Sequence, residues 1–387
     1  MYKLAFVATS YIKEYDGVSV YLENLMYELL RQPLYQKRLL MIDLYLHEAV
    51  VDLFSERILE GVDAENVHLI ALPQQGAAAK FADLQRRILG KRYDLVFVPN
   101  PMPLFFSRGR RLKVIHDLTI KQTPELFSGA KHRYIDFLIG YMKRFDDKVG
   151  YISRQTKEDI RHFYGIADAK LLYLPNGIPF KVRQLPRPEQ EDAFAKYAGD
   201  ALELVVVGRI NRSKGFDRVL QLLAYLEALP DGARTFERVI LHVAGKQTDE
   251  TKKILEGQHF TRIALHFYGY VSDEELNNLY EKSHFCLFLS RNEGYGLPLV
   301  EAMWLRTVPV ISDIPVFGEI LGEAYPKFSD RSGYGEAIYS FMRRIFGDET
   351  YRRDIFAMIE RSVAKESRGY ALCAENLLGY LTEGKAS

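Results

Sequence analysis

The sequence predicts an α/β protein made of two doubly wound, parallel-sheet domains. Three observations carry that expectation. Short, near-continuous apolar segments alternate with amphipathic helical ones from the first residues onward, which is the pattern of parallel strands covered by helices on both faces. The alternation stops at a polar stretch over 182–200 and then starts again. The chain is 387 residues long, enough for two domains of about 100–200 residues each. Two such runs imply two Rossmann-like domains, 1–180 and 181–367, with the polar stretch as a linker.

Taken in order, residues 4–8 read as the first strand. Val18, Tyr21, Leu22, Leu25, Met26, Leu29 and Leu30 then fall on one face of a helix. Strands are expected at 39–46 and 67–72, with a helix around 50–60 between them and another near 78–89. Strands at 94–99, 112–116, 148–152 and 171–174, with helices near 131–145 and 154–164, complete the first half. It ends at Pro175-Asn176-Gly177, a turn signal. The second half reads as strands 202–208, 239–245, 263–269, 285–290 and 308–311, with helices at 215–228, 249–257, 273–282 and from 297. The final segment, from about 348, is helical and divides near Ser367-Arg368-Gly369. Its last helix, within 368–387, is expected to return to the first domain and complete it. Ligands of such sheets bind beyond the carboxyl ends of the strands, so the expected site is a cleft between the domains.

Composition narrows the function. The formal net charge is +1, which argues against a protein built to hold the nucleic-acid backbone. Hydrophobic residues make up 48% and charged residues 27%, so a large core forms without disulfide or metal staples. Cys286 and Cys373 have no CxxC or Cys/His partner at metal spacing and read as packing residues in a reducing compartment. The apolar run at the N-terminus is too short for a signal peptide, and no stretch approaches the ~18 apolar residues of a membrane span.

The chemistry concentrates where predicted strands end. Ser290-Arg291-Asn292-Glu293-Gly294-Tyr295-Gly296-Leu297-Pro298 leads into a helix that carries Glu301. Gly294 and Gly296 allow a ligand close to the backbone. The amides of the new helix suit a phosphate or sugar oxygen. Glu293 and Glu301 offer hydroxyl acceptors to one ligand. Gly208-Arg209-Ile210-Asn211-Arg212-Ser213-Lys214-Gly215 is a second strand-to-helix turn, where Arg209 and Lys214 suit a diphosphate. In the first half, Asp16-Gly17 lies between strand and helix, and His116-Asp117 closes a strand, which places a histidine at the carboxyl edge. Read one at a time, these residues fit structural roles equally well: a capping carboxylate, solvated basic residues, a loop histidine. No catalytic triad, Walker A loop or metal-binding carboxylate cluster is present in the spacing.

Together and in order, Glu293-Gly294-Tyr295-Gly296-Leu297-Pro298 with Glu301-Ala302-Met303, Gly208-Arg209 with Lys214-Gly215, His116-Asp117, Asp16-Gly17 and Asn176-Gly177 resemble the retaining glycosyltransferases of family 4, which have the GT-B fold. Within that family the chain resembles bacterial surface-polysaccharide mannosyltransferases. The resemblance implies that Arg209 and Lys214 hold the donor diphosphate and that Glu293 holds hydroxyls of the donor sugar. It implies that Glu301 holds the ribose, and that the Gly294, Tyr295, Gly296 and Leu297 backbone contacts sugar and phosphate. Gly17 would let the first loop close over the phosphates, and His116 would lie against the sugar. Many members have two adjacent glycines where this chain has Asp16-Gly17. Base contacts are expected near Tyr270. The implied reaction is metal-independent, needs no cofactor beyond the nucleotide-sugar substrate, and moves a hexose to a glycan or lipid-linked glycan with retention of configuration. GDP-mannose is the favoured donor, with UDP-sugars close. Lipopolysaccharide assembly in the cytoplasm, at the inner face of the membrane, is the implied setting.

Two other classes share the architecture. A sugar-nucleotide epimerase would need further acid and base groups beside the donor. A non-catalytic nucleotide-sugar-binding subunit would bind without turnover. The basic residues Arg108, Arg110, Arg111, Lys113, Lys131, His132, Arg133, Lys143 and Arg144 are expected to give the first domain a basic face suited to peripheral membrane contact.

Overall fold

A computed structural model describes residues 1–12, 16–73, 76–256 and 258–383. The chain divides into two compact units, Met1–Phe180 with Arg368–Ser387, and Lys181–Ser367.

The first unit is a seven-stranded parallel sheet. Its strands are β1 (Tyr2–Val7), β2 (Leu40–His47), β3 (Val67–Leu72), β4 (Leu95–Val98), β5 (Arg110–Ile115), β6 (Lys148–Tyr151) and β7 (Leu171–Tyr173). Their order is β3-β2-β1-β4-β5-β6-β7, so the winding reverses between β1 and β4. Helices α1 (Gly17–Leu29), α2 (Ala77–Gly90), α3 (Gly129–Phe145) and α4 (Arg154–Tyr164) supply the crossovers. Ala5, Val7, Val96 and Val98 pack with Leu84 and Ile88 of α2. Ile115 and Val149 pack with Ile139, Met142 and Ile160 of α3 and α4.

The second unit is a six-stranded parallel sheet. Its strands are β8 (Ala201–Val207), β9 (Arg238–Ala244), β10 (Ile263–Gly269), β11 (Phe285–Phe288), β12 (Val308–Ser312) and β13 (Lys327–Phe328). Their order is β10-β9-β8-β11-β12-β13, with the winding reversing between β8 and β11. Its helices are α5 (Phe216–Ala228), α6 (Asp249–Glu256), α7 (Asp273–Lys282), α8 (Leu297–Trp304), α9 (Pro315–Leu321), α10 (Tyr334–Gly347) and α11 (Glu349–Glu366). Sheets of this winding bind ligands at the point of reversal, beyond the carboxyl ends of the strands.

The last helix, α12 (Gly369–Glu383), packs on the first unit. The Tyr21 hydroxyl of α1 lies 3.3 Å from the Cys373 sulfur. Asn376 donates to the Tyr173 carbonyl at 2.9 Å. Arg110 donates to the carbonyls of Tyr380 and Leu381 at 2.8 and 2.7 Å. A Cβ on Gly369 would stand 1.9 Å from the Asn176 carbonyl oxygen, so the Asn176-Gly177 turn and Gly369 form the seat on which α12 starts.

Three expectations need correction. The polar stretch 182–200 is not a free linker. It folds into short helices, including Gln190–Ala195, and buries Ala193 and Tyr197. Arg187 forks onto Glu360 at 2.6 and 2.8 Å, so its charges satisfy one another in place. The region expected as one helix over 50–60 is three tight pieces: a 3₁₀ turn, the turn Val51–Phe54 and a π turn, Ser55–Leu59. The expected basic face loses three members. Arg110 is spent on α12. Arg111 and the fully buried Lys113 pair with Asp146 at 2.7 and 3.4 Å.

Candidate functional site

The point of reversal in the second unit collects the predicted diphosphate residues. β8 ends at Gly208, which adopts φ +115°, and Arg209 follows, exposed and with no ion-pair partner among the described residues. The turn then folds on itself. Asn211 Oδ1 accepts from the Lys214 amide at 2.9 Å, an Asx-type turn that the sequence Asn-Arg-Ser-Lys-Gly signals. Gly215 closes the turn at φ +72°, and a Cβ there would stand 1.8 Å from the Leu289 carbonyl oxygen. Only glycine lets this turn lie against the end of β11.

The loop after β11 reaches back. The Arg291 amide donates to the Ser213 carbonyl at 3.0 Å. The Arg291 guanidinium grips Asp217 with two bonds of 2.6 Å. Burial alone would raise the Asp217 carboxyl, but that fork holds it below the usual carboxylate range. Arg218 donates to the Leu289 and Ser290 carbonyls at 3.2 and 3.4 Å. The two loops are thus stitched into one rigid rim.

On that rim Lys214 meets Glu293. The ammonium donates to both carboxylate oxygens at 2.7 Å. The Ser290 hydroxyl donates to Glu293 Oε1 at 2.8 Å, and Ser290 is itself tied to Ser312, whose hydroxyl donates to the Ser290 carbonyl at 2.7 Å. Glu293 is 9% exposed, whereas the Lys214 side chain is 43% exposed. The carboxylate is therefore fixed and the cation faces solvent. Gly294 and Tyr295 follow. Tyr295 is buried, and its hydroxyl donates to Glu366 of α11. Gly296, at φ +117°, starts α8 with no side-chain cap, so Leu297 begins a helix whose positive end has no carboxylate of its own. Glu301 lies one turn in and accepts from the Tyr280 hydroxyl at 3.1 Å. Burial pushes its carboxyl up to about 7, the Tyr280 bond opposes that rise, and the charge of Asp273 adds to it.

Tyr270 is set apart from this group. It follows β10, two strands from β8 at the sheet edge, and is 69% exposed. Backbone contacts link it to the rim. The Gly208 amide donates to the Ala244 carbonyl at 2.9 Å, and the Gly245 amide donates to the Gly269 carbonyl at 2.7 Å.

In the first unit, the Asp16 side chain accepts from the Ser19 amide at 2.9 Å. It is the N-cap of α1, with Gly17 the first helical residue. Tyr15 lies outside the described residues. His116 closes β5 and is partly exposed; its ring stands edge-on to Tyr21, centroids 4.8 Å apart. Its Nε2 lies 2.7 Å from the Pro99 carbonyl. A carbonyl only accepts, so Nε2 carries the proton and Nδ1 is left as an acceptor. Burial lowers the affinity of the ring for a second proton, against the opposing pull of that carbonyl. Ser10 and Asn100, after β1 and β4, each hold a buried side-chain oxygen with no hydrogen-bond partner among the described residues.

Sequence reasoning assigned no role to Ser290, Arg291, Asp217 or Arg218. Among the described residues no group of three or more His, Cys, Asp or Glu is placed to hold a metal ion, and no helix is long and apolar enough to cross a membrane.

Comparison with known proteins finds one matching family model and several similar chains. Residues 188–355 match the family described as glycosyl transferases group 1. The chain is similar to the O-antigen chain mannosyltransferase RfbU of Salmonella typhimurium, 40% identical over 58% of each chain. It is also similar to the serotype-specific mannosyltransferase WbdA of Escherichia coli, 26% identical over 54% of this chain and 27% of that one. The match thus spans about a quarter of WbdA and somewhat over half of RfbU. Among solved structures, Anabaena HepE in complex with UDP and glucose superposes with a TM-score of 0.69, at 16% identity, over 99% of this chain and 100% of that one. WaaG, a glycosyltransferase involved in lipopolysaccharide biosynthesis, superposes with a TM-score of 0.65, at 17% identity, over 96% and 98%. These likenesses establish the GT-B fold.

Proposed function

We propose that this chain, which carries a glycosyl transferases group 1 domain over residues 188–355, moves a hexose from a nucleoside diphosphate sugar to a glycan or lipid-linked glycan. The observation that carries the reading is the Lys214–Glu293 contact at the carboxyl ends of β8 and β11, with Arg209 at the start of the turn that leads to Lys214. A cation and a fixed hydroxyl acceptor share one rim, as a diphosphate sugar requires. The mannosyltransferase relatives favour a mannose donor. GDP-mannose is the first candidate and a UDP-sugar the second.

On this reading Lys214 leaves Glu293 for the donor diphosphate, and Arg209 joins it. Glu293 then accepts hydroxyls of the sugar, and Glu301 those of the ribose. The bond from the anomeric carbon to phosphate oxygen breaks as the acceptor hydroxyl oxygen attacks the same face, with retention. The acceptor proton passes to the departing phosphate oxygen. Arg209, Lys214 and the start of α8 take up the charge of the leaving group, which is electrostatic stabilisation by groups already in position. We assign these cations the work a metal does elsewhere. In the first unit, His116 Nδ1 is assigned to accept a sugar hydroxyl. The buried, unpaired Cys286 and Cys373 fit a reducing, cytoplasmic setting.

The test is thermal unfolding with GDP, UDP and ADP, each with and without EDTA. A nucleotide at a hundred times its dissociation constant stabilises the fold by about 2.7 kcal/mol. Stabilisation by one nucleotide, insensitive to EDTA and followed by sugar transfer in a screen of glycan acceptors, is the expected result. Binding without transfer favours the binding-subunit reading, and an epimerised donor in the absence of acceptor favours the epimerase.

A further inference from the structure

Carboxylates of α11 brace α8 at both ends. At its exit, the Trp304 carbonyl accepts from Arg187 at 2.9 Å, and the same guanidinium forks onto Glu360. Arg306, just beyond α8, reaches that carboxylate at 3.5 Å. At its entry, the Tyr295 hydroxyl donates to Glu366 Oε2. Glu360 and Glu366 are about 9 Å apart along α11, beside a helix about 12 Å long. A helix as short as α8 does not hold its own place in water, so the brace helps to set where α8 and the turn before it lie.

The two anchors differ in kind. The side chains of Arg187 and Glu360 are 22% and 33% exposed, whereas Tyr295 and Glu366 are each 6% exposed. Glu366 is held on its other side as well. Its Oε1 lies 2.9 Å from the Lys365 ammonium, which donates to the Glu319 carbonyl at 2.6 Å. Tyr295 stands between Gly294 and Gly296, residues that leave a backbone free to move, so its side chain is the tether of this turn. A hydroxyl donating to a buried carboxylate is among the stronger hydrogen bonds a protein makes, and the tether is stiff.

We infer that Glu366 is a positioning residue for the donor sugar. Through the Tyr295 hydroxyl it fixes the turn over 294–297, so that the backbone amides there meet sugar oxygens without reordering when the donor binds. The inference rests on the transferase reading, which assigns that turn to the donor. Glu366 touches no substrate and acts only through Tyr295. The phosphates are left to Arg209 and Lys214, so loss of the tether weakens recognition of the sugar and spares that of the diphosphate.

The test is calorimetric titration of the full chain with GDP and GDP-mannose, and with UDP and UDP-glucose, comparing the two dissociation constants within each pair. Tyr295→Phe keeps the ring and drops the hydroxyl, Glu366→Ala removes the acceptor, and Glu366→Gln keeps an acceptor oxygen. In Tyr295→Phe and Glu366→Ala the constant for the sugar nucleotide is expected to rise about tenfold, the worth of one hydrogen bond, while that for the diphosphate moves by no more than about twofold. Tyr295→Phe combined with Glu366→Ala should lose no more than either alone. Glu366→Gln should stay within about threefold of wild type. Thermal unfolding of each variant checks the fold, and Tyr295→Phe with Glu366→Gln carries the test if Glu366→Ala does not fold. A wild-type ratio of constants in Tyr295→Phe, equal weakening of both ligands, or additive losses in the double variant overturns the inference and leaves the transferase reading in place. Failure of the wild type to bind either diphosphate or either sugar nucleotide overturns that reading, and this inference with it.

Discussion

Replacing Lys214 by alanine separates two consequences of one side chain. In the unliganded protein Lys214 neutralises Glu293 through two contacts of 2.7 Å. Its side chain is 43% exposed, so solvent screens the pair and its loss costs about 1 kcal/mol. For a unit of this size that lowers the melting temperature by roughly 2–4 °C. Glu293 keeps the Ser290 hydroxyl, so the loop holds. Ligand binding responds more strongly. A hydrogen bond to a charged group contributes about 1.5–3 kcal/mol, so nucleoside diphosphate affinity is expected to fall roughly ten- to hundredfold. The assay is calorimetric titration of wild type and Lys214→Ala with GDP, GMP, UDP and UMP. The loss should be confined to the diphosphates, because the assigned contact is to the phosphates and not to base or ribose. Lys214→Ala binding the diphosphates as tightly as wild type refutes the assignment.

Other perturbations test the scaffold. Gly215→Ala combines a positive φ with a Cβ 1.8 Å from the Leu289 carbonyl and is expected to cost at least about 3 kcal/mol. Gly208→Ala, at φ +115° in open space, should cost about 1–2 kcal/mol, and thermal unfolding compares the two. Glu301, with its carboxyl raised to about 7, holds its proton more tightly in the fold than in the unfolded chain. The stability it supports is present in acid and falls as pH rises from about 4.5 to about 7. Glu301→Gln is level there, so its melting temperature should gain on the wild type across that window, by up to about 3 kcal/mol equivalent; parallel pH profiles would rule the shift out. Gly369→Val, with its Cβ 1.9 Å from the Asn176 carbonyl, should unseat α12 and lower stability by about 3 kcal/mol or more, while nucleotide affinity in the second unit is retained.

Most strands were legible because they are near-continuous apolar runs, and β3, α4 and α7 fall where the spacing puts them. The two-residue β13 and the helix α9 have too little periodicity to stand out. The stretch 182–200 misled because polar composition was read as a linker, when Arg187 and Glu360 satisfy each other across 173 positions. The site was readable as residue types at strand ends. What the sequence hid was the partnership: Lys214 and Glu293 are 79 positions apart, and only the pairing order of β8 and β11 makes them neighbours. Asp16 shows the opposite case, a motif residue whose visible work is a local cap.

The placement of α12 has a consequence for biogenesis. The first unit is complete only when the end of the chain arrives, since Tyr21 finds Cys373 across 352 positions. On a ribosome adding about 5–20 residues per second, the apolar side of α1 waits on the order of ten seconds or more while the whole second unit is made. Closing so long a loop in an unfolded chain is slow. A second unit that has already folded shortens that loop, because its two ends meet where the Arg183 guanidinium donates to the Ser367 carbonyl at 3.3 Å. The loop left to close between α1 and α12 is then set by the short span between those two ends and not by the whole length of the second unit.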